Sequence, residues 1–380
     1  MIEVPGLNWT YEPQELTIRG LILCAFTATC VALAACGGGD NVTGTKSLSF
    51  ASVSAGRGVS CAVTRAGGAY CWGNSSTTPV AVAPSLTFAA LSAGDAQHVC
   101  GITRAGVAYC WGNDNVPVAV PGRLVFAAIS TEAGHTCGVT TNGAAYCWGS
   151  NVYGGLGDGT TTASLTPVAV SGGLAFATVR VGDSYTCALT ATGAAYCWGF
   201  NLRGQLGDGT PTERHSPALV SGSSNFATIS AGSTHSCGRT VAGAAYCWGD
   251  NFFGQLGNLG DNYYGEVITG ASSTPFAVFG GHNFAALSNG ARHTCAVTTA
   301  GAAYCWGSGV NGQLGNGTST NAFSPVAVSG GLTFVAVSAG EDHTCALTPS
   351  GMAYCWGNGP GGELGNGTTG FSAVPVPVSQ

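Results

Sequence analysis

The sequence predicts an all-β fold: a seven-bladed β-propeller closed by its C-terminal strand and preceded by an N-terminal signal or anchor segment. Three observations carry this. A block opening on phenylalanine recurs seven times, at Phe50, Phe88, Phe126, Phe176, Phe226, Phe284 and Phe334. Fourteen cysteines fall into seven couples, each ten positions apart. Charged residues make up only 7% of the chain against about 25% in ordinary soluble domains, while glycine reaches 62 residues. That composition is poor in helix formers and suits short strands joined by turns.

The N-terminus comes first. Residues 20–35 are uncharged and mostly apolar, follow Arg19, and end in Leu33-Ala34-Ala35-Cys36. The run is too short for a membrane span, which needs about 20 apolar residues, and it reads as a signal peptide. Its ending resembles a bacterial lipobox, which implies cleavage before Cys36 and a lipid on that sulfur. An uncleaved amphiphilic anchor is the competing reading, and Glu3, Glu12 and Glu15 make the leader unusually acidic. The expected division is residues 1–36 signal, 37–47 flexible linker and 48–380 propeller, in an exported protein that is either held at the cell envelope or secreted.

Past the leader, Cys61 is coupled with Cys71, Cys100 with Cys110, Cys137 with Cys147 and Cys187 with Cys197. Cys237 with Cys247, Cys295 with Cys305 and Cys345 with Cys355 complete the set. An even count in an exported chain reads as a disulfide framework. Zinc is the rival, but zinc sites favour closer cysteine spacing. In the fourth copy, Phe176-Ala177-Thr178-Val179 leads to Cys187-Ala188-Leu189-Thr190, then Tyr196-Cys197-Trp198-Gly199, then Pro217-Ala218-Leu219-Val220. Four short strands separated by glycine-rich turns make one blade. If the tight turn centres on Thr192, Cys187 faces Cys197 and Leu189 faces Ala195. Directly opposed residues at a non-hydrogen-bonded site lie within disulfide range. No proline-led strand precedes Phe50, so the last one, residues 375–378, is expected to pair with the Phe50 strand and close the ring.

Gly340, His343, Gly351, Trp356-Gly357 and Gly362-Glu363-Leu364-Gly365, with their equivalents in the other copies, resemble the repeats of the regulator of chromosome condensation family. The resemblance spans residues 48–380 and implies a seven-bladed propeller. Members of that family are similar to nucleotide-exchange factors, a plant ultraviolet-B receptor and a secreted β-lactamase inhibitor, so the resemblance implies no single function. This chain has no basic tail, and its first two copies lack the Gly-Gln-Leu-Gly loop. The fold is carried over and the exchange activity is not.

The search for chemistry finds no catalytic constellation, and neither an enzyme nor a cofactor is expected. Five copies place a histidine two residues before the first cysteine: His98, His135, His235, His293 and His343. Blades hold such positions apart, which favours a structural hydrogen bond to a loop carbonyl over a metal site. Asp158-Gly159-Thr160 and Asp208-Gly209-Thr210 could ligate calcium, yet Asn316 and Asn366 stand at the same place in later copies, which favours a plain turn.

Charge placement is more informative. The face bearing the post-Trp loops should carry thirteen acids against four arginines, and the opposite face Arg65, Arg104 and Arg123 without an acid. With one lysine, Lys46, and a net charge of −6, nucleic acid is not an expected partner. The expected function is a non-enzymatic, monomeric scaffold whose acidic loop face holds a protein with a basic patch; a glycan- or small-ligand-binding propeller is the alternative. The fifth copy carries the longest loop, and its Asp261, Tyr263, Tyr264 and Glu266, with Phe252 and Phe253, are the candidate partner-binding residues.

Overall fold

The computed structural model describes residues 48–112, 114–132, 134–222, 225–258 and 270–379. Cys36, Asp261, Tyr263, Tyr264 and Glu266 lie outside these residues. Among the described residues every regular element is a strand, and the strands form seven four-stranded antiparallel sheets. Blade one contains Phe50–Ala55, Val59–Thr64, Ala69–Gly73 and Ser76–Val82, hydrogen-bonded in sequence order. Six further sheets repeat that order, ending with Ala336–Ala339, His343–Leu347, Ala353–Gly359 and Gly370–Pro377. First strands of successive blades touch all the way round, including blade seven against blade one, so the blades form a closed ring.

Alternation along the third strand explains the packing. In Ala195–Gly199, Trp198 is buried against Phe176 of its own blade. The equivalent Phe–Trp centroid distances run from 5.6 to 6.1 Å in all seven blades. Among the described residues each interblade seam holds its own apolar cluster.

All seven cysteine couples are disulfides within their own hairpins, with Cα separations of 4.0–4.1 Å. Cys61 is bonded to Cys71, Cys100 to Cys110, Cys137 to Cys147 and Cys187 to Cys197. In the last three blades Cys237 is bonded to Cys247, Cys295 to Cys305 and Cys345 to Cys355. Bonded sulfurs are not thiolates, so none of these fourteen cysteines is a zinc ligand. The register is the expected one, with Cys187 opposite Cys197 and Leu189 opposite Ala195. It recurs with Cys147 opposite Cys137, Cys247 opposite Cys237 and Cys305 opposite Cys295. Closing so short a loop contributes at most about 3 kcal/mol per bridge. Mass mapping of the unreduced protein should find every couple inside its own repeat; a bridge between repeats would contradict this arrangement.

The expected closure by the last strand is corrected. The strand starts at Gly370 and pairs with Ala353–Gly359 of its own repeat, Cys355 opposite Val376, and the Phe50 strand pairs only with Val59–Thr64. The connection within a repeat is local, so forming that pair orders less chain than a pairing across the ring would. Closure comes instead from packing of Phe50, Ala62 and Trp72 against Leu347, Leu364 and Val378. Backbone bonds from Ser75 to the Gly361 carbonyl and from Gly367 to the Thr77 carbonyl reinforce it. Val378 is buried in that seam, and Val378→Ala is expected to cost about 2 kcal/mol in denaturant unfolding.

Candidate functional site

The post-Trp loops lie on one face because antiparallel order puts the connections after the first and third strands at the same end. In blade four, Asn201 holds the loop: its Oδ1 accepts from the Leu206 amide at 3.0 Å, and its Nδ2 donates to the Thr210 and Thr212 carbonyls. Asp208 closes the following turn through Thr210 and accepts from Arg214 Nε at 2.7 Å. Asn316 and Asn366 hold the same turn through Thr318 and Thr368. Carboxylate and amide therefore serve one purpose here, to hold a turn.

Each complete loop latches onto the next blade. The Gln205 carbonyl accepts from Trp248 Nε1 at 3.0 Å and from Ser236 Oγ at 2.9 Å. The Gly155, Gln255, Gln313 and Glu363 carbonyls do the same for Trp198 and Thr186, Trp306 and Thr294, Trp356 and Thr344, and Trp72 and Ser60. The leucine that follows each carbonyl, from Leu156 to Leu364, is buried.

The histidines belong to this latch, and the expected direct bond to a loop carbonyl is corrected. His135 Nε2 lies 2.8 Å from Thr186 Oγ1, and His235, His293 and His343 approach Thr294, Thr344 and Ser60 at 2.7–2.8 Å. The hydroxyl gives its only proton to the loop carbonyl, so the imidazole Nε2–H must donate to the hydroxyl. Burial pushes His135 and His343 down to about 4 and His235 and His293 down to about 3, so all four are neutral at neutral pH. Tyr185 replaces histidine in blade four and donates to the His235 carbonyl at 2.7 Å. The hydroxyl partners escaped the sequence reading, although Ser or Thr directly follows this position in six copies and Val99 is the one departure.

His98 Nε2 lies 3.5 Å from Cys100 Sγ, but Cys100 is bonded to Cys110, so neither sulfur is a thiolate ligand. The ring encloses a channel of about 410 Å³ lined by the first strands. Ser54, Ser92, Ser130, Ser230, Ser288 and Ser338 occupy equivalent positions there, with Arg180 in blade four. Each serine Oγ accepts from a backbone N–H of the following blade at 2.9–3.0 Å. At the loop-side mouth Arg57 pairs with Glu341 at 3.2 Å. Burial, reinforced chiefly by Asp183, pushes Glu132 up to about 8. Of the candidate partner residues, Phe252 is 68% exposed and packs edge-on against Phe253, whose ring lies 5.6 Å from Arg292 Cζ.

A ring of stapled blades, tied at five of its seams through loop carbonyls, defines a repeat propeller with one loop-bearing face. The RCC1-like domain model matches residues 114–380, most of the chain, and the chain belongs to that family. Propellers of this family are commonly protein-binding scaffolds. No curated protein matches it. Among solved structures it is similar to human WBSCR16, with a TM-score of 0.71 and 17% identity over 80% of this chain and 85% of that one. Yeast RCC1 (Prp20), solved bound to Kap60, gives 0.71 and 17% over 88% and 86%. The receptor-kinase CR4 ectodomain of Physcomitrella patens gives 0.54 and 25% over 82% and 73%.

Proposed function

We propose that this chain is an exported, envelope-anchored scaffold that holds a protein partner against its acidic loop face. The observation that carries the reading is the placement of acids: Glu132, raised by burial and by Asp183, and more weakly by Asp95 and Glu341 against the opposing Arg57, forms with those three a set of carboxyl groups from four different blades. A rim with an excess of acids steers an oppositely charged partner and selects against others. Exposed Phe252, with Phe253 beside it, supplies anchor area next to the fifth-copy loop that carries Asp261, Tyr263, Tyr264 and Glu266. Prp20p of Saccharomyces cerevisiae, a fold neighbour, is described with binding properties to Gsp1p and histones, which supports a protein as the ligand class. Seven disulfides suit an oxidising extracellular compartment.

Affinity capture from envelope extracts tests the reading. Replacing both Tyr263 and Tyr264 by alanine should cost about 2 kcal/mol or more of partner binding without moving the melting temperature. Loss of stability with binding spared would place the site elsewhere. In this reading lipid on Cys36 tethers the chain, and residues 37–49 reach at most about 45 Å. Arg65, Arg104 and Arg123, all exposed, then face the membrane. The soluble domain should bind anionic vesicles more strongly than neutral ones at low salt, where charges are less screened; equal binding would count against this orientation.

A further inference from the structure

The seam between blades one and two lacks its latch. Blade one has no Gly-x-Leu-Gly loop; its third and outer strands are joined through Asn74 and Ser75. In the five seams that have such a loop, the tryptophan of the following blade donates to the loop carbonyl. Trp111 stands at that position in blade two. It is 5% exposed, and its Nε1 has no hydrogen-bond partner among the described residues. Leaving a buried donor unmade costs about 1–3 kcal/mol, which makes this a place where an acceptor from outside is favoured.

A pocket of about 90 Å³ lies beside that indole; Val59, Val82, Val99 and the 49% exposed Val80 line it together with the polar side chains of Asn74, Ser76 and Asn115. The other seams show what fills this space: a buried leucine, preceded by the residue whose carbonyl meets the indole. Val99 replaces the hydroxyl residue that would bind the same carbonyl, and Val59 replaces the histidine that would orient it. At this seam two valines therefore stand where the latched seams carry a hydroxyl and, in most, a histidine, beside an indole whose N–H has no acceptor among the described residues.

We propose that this seam is a binding site for a leucine-bearing turn of a partner protein, whose backbone carbonyl accepts from Trp111 Nε1 while the leucine enters between Val82 and Val99. The occupant is the Gly-x-Leu-Gly type of turn that the chain itself uses in its other seams. The site uses none of the acidic-rim residues, so it stands or falls separately from the proposed function.

The test uses the full chain with 15N-labelled tryptophan and a synthetic peptide of residues 200–212, the fourth copy's own loop. Titration should shift the Trp111 indole resonance, assigned by its loss in Trp111→Phe, and the shift should saturate. Replacing the leucine that corresponds to Leu206 by alanine in the peptide should weaken binding at least about tenfold, as should Trp111→Phe. Val99→Thr restores the second donor and should tighten binding several-fold. No shift of Trp111 up to about 5 mM peptide, equal binding to Trp111→Phe, or no response to Val99→Thr would overturn the proposal.

Discussion

Lowering the pH from 7 to 5 is expected to reduce the unfolding free energy by on the order of 5 kcal/mol, a large part of a domain's whole stability. His135, His235, His293 and His343 are buried at four seams and held at about 3–4, below the ordinary value of 6.5. Below pH 6.5 the unfolded chain takes up protons that the folded ring refuses, so stability is complete above that pH and falls as the pH drops. Each histidine contributes a slope of about 1.4 kcal/mol per pH unit. His98 is lowered in the same direction by burial. Glu132 opposes them: with its carboxyl raised to about 8, the folded state gains protons as the pH falls, but it is one group against several. The denaturant midpoint at pH 7, 6 and 5 measures the effect, and His293→Gln should remove one histidine's share of the slope. A midpoint unchanged across this range would mean that the latches open freely or that the histidines are not neutral.

Gly207→Ala should destabilise the ring by about 3 kcal/mol or more, against about 1–2 kcal/mol for Gly209→Ala two positions away. Both glycines have positive φ, +70° and +86°, so an L side chain carries a similar backbone penalty at each. They differ in what the new methyl group meets. A Cβ at Gly207 would lie 2.6 Å from Trp248 Nε1, whereas at Gly209 the nearest atom is Ser221 Oγ at 3.5 Å. Trp248 is fully buried and tied to the Gln205 carbonyl, so it cannot move aside without breaking the latch. The difference between the two variants isolates the close approach of loop to indole. Equal losses in denaturant unfolding would show that backbone strain alone sets the cost.

What the sequence by itself determined is what lies within one hairpin and how often that hairpin recurs. The blade count, the seven bridges and the pairing of Cys187 with Cys197 follow from a repeating block, a period of two, a tight turn and a ten-residue spacing. What joins one blade to the next only the tertiary structure decided. The histidines bond hydroxyls 38 to 59 positions further on, or, for His343, over the closing seam to Ser60 of the adjacent blade one. The last strand stays in its own blade because the local pair is available, while side-chain packing and the loop of blade seven close the ring. The acceptor missing at Trp111 becomes visible only when the seams are laid side by side, because it follows from a loop absent in the preceding blade. Contacts of this kind depend on how far each blade twists against its neighbour, a property of the assembled ring that no hydrophobic period or residue spacing encodes.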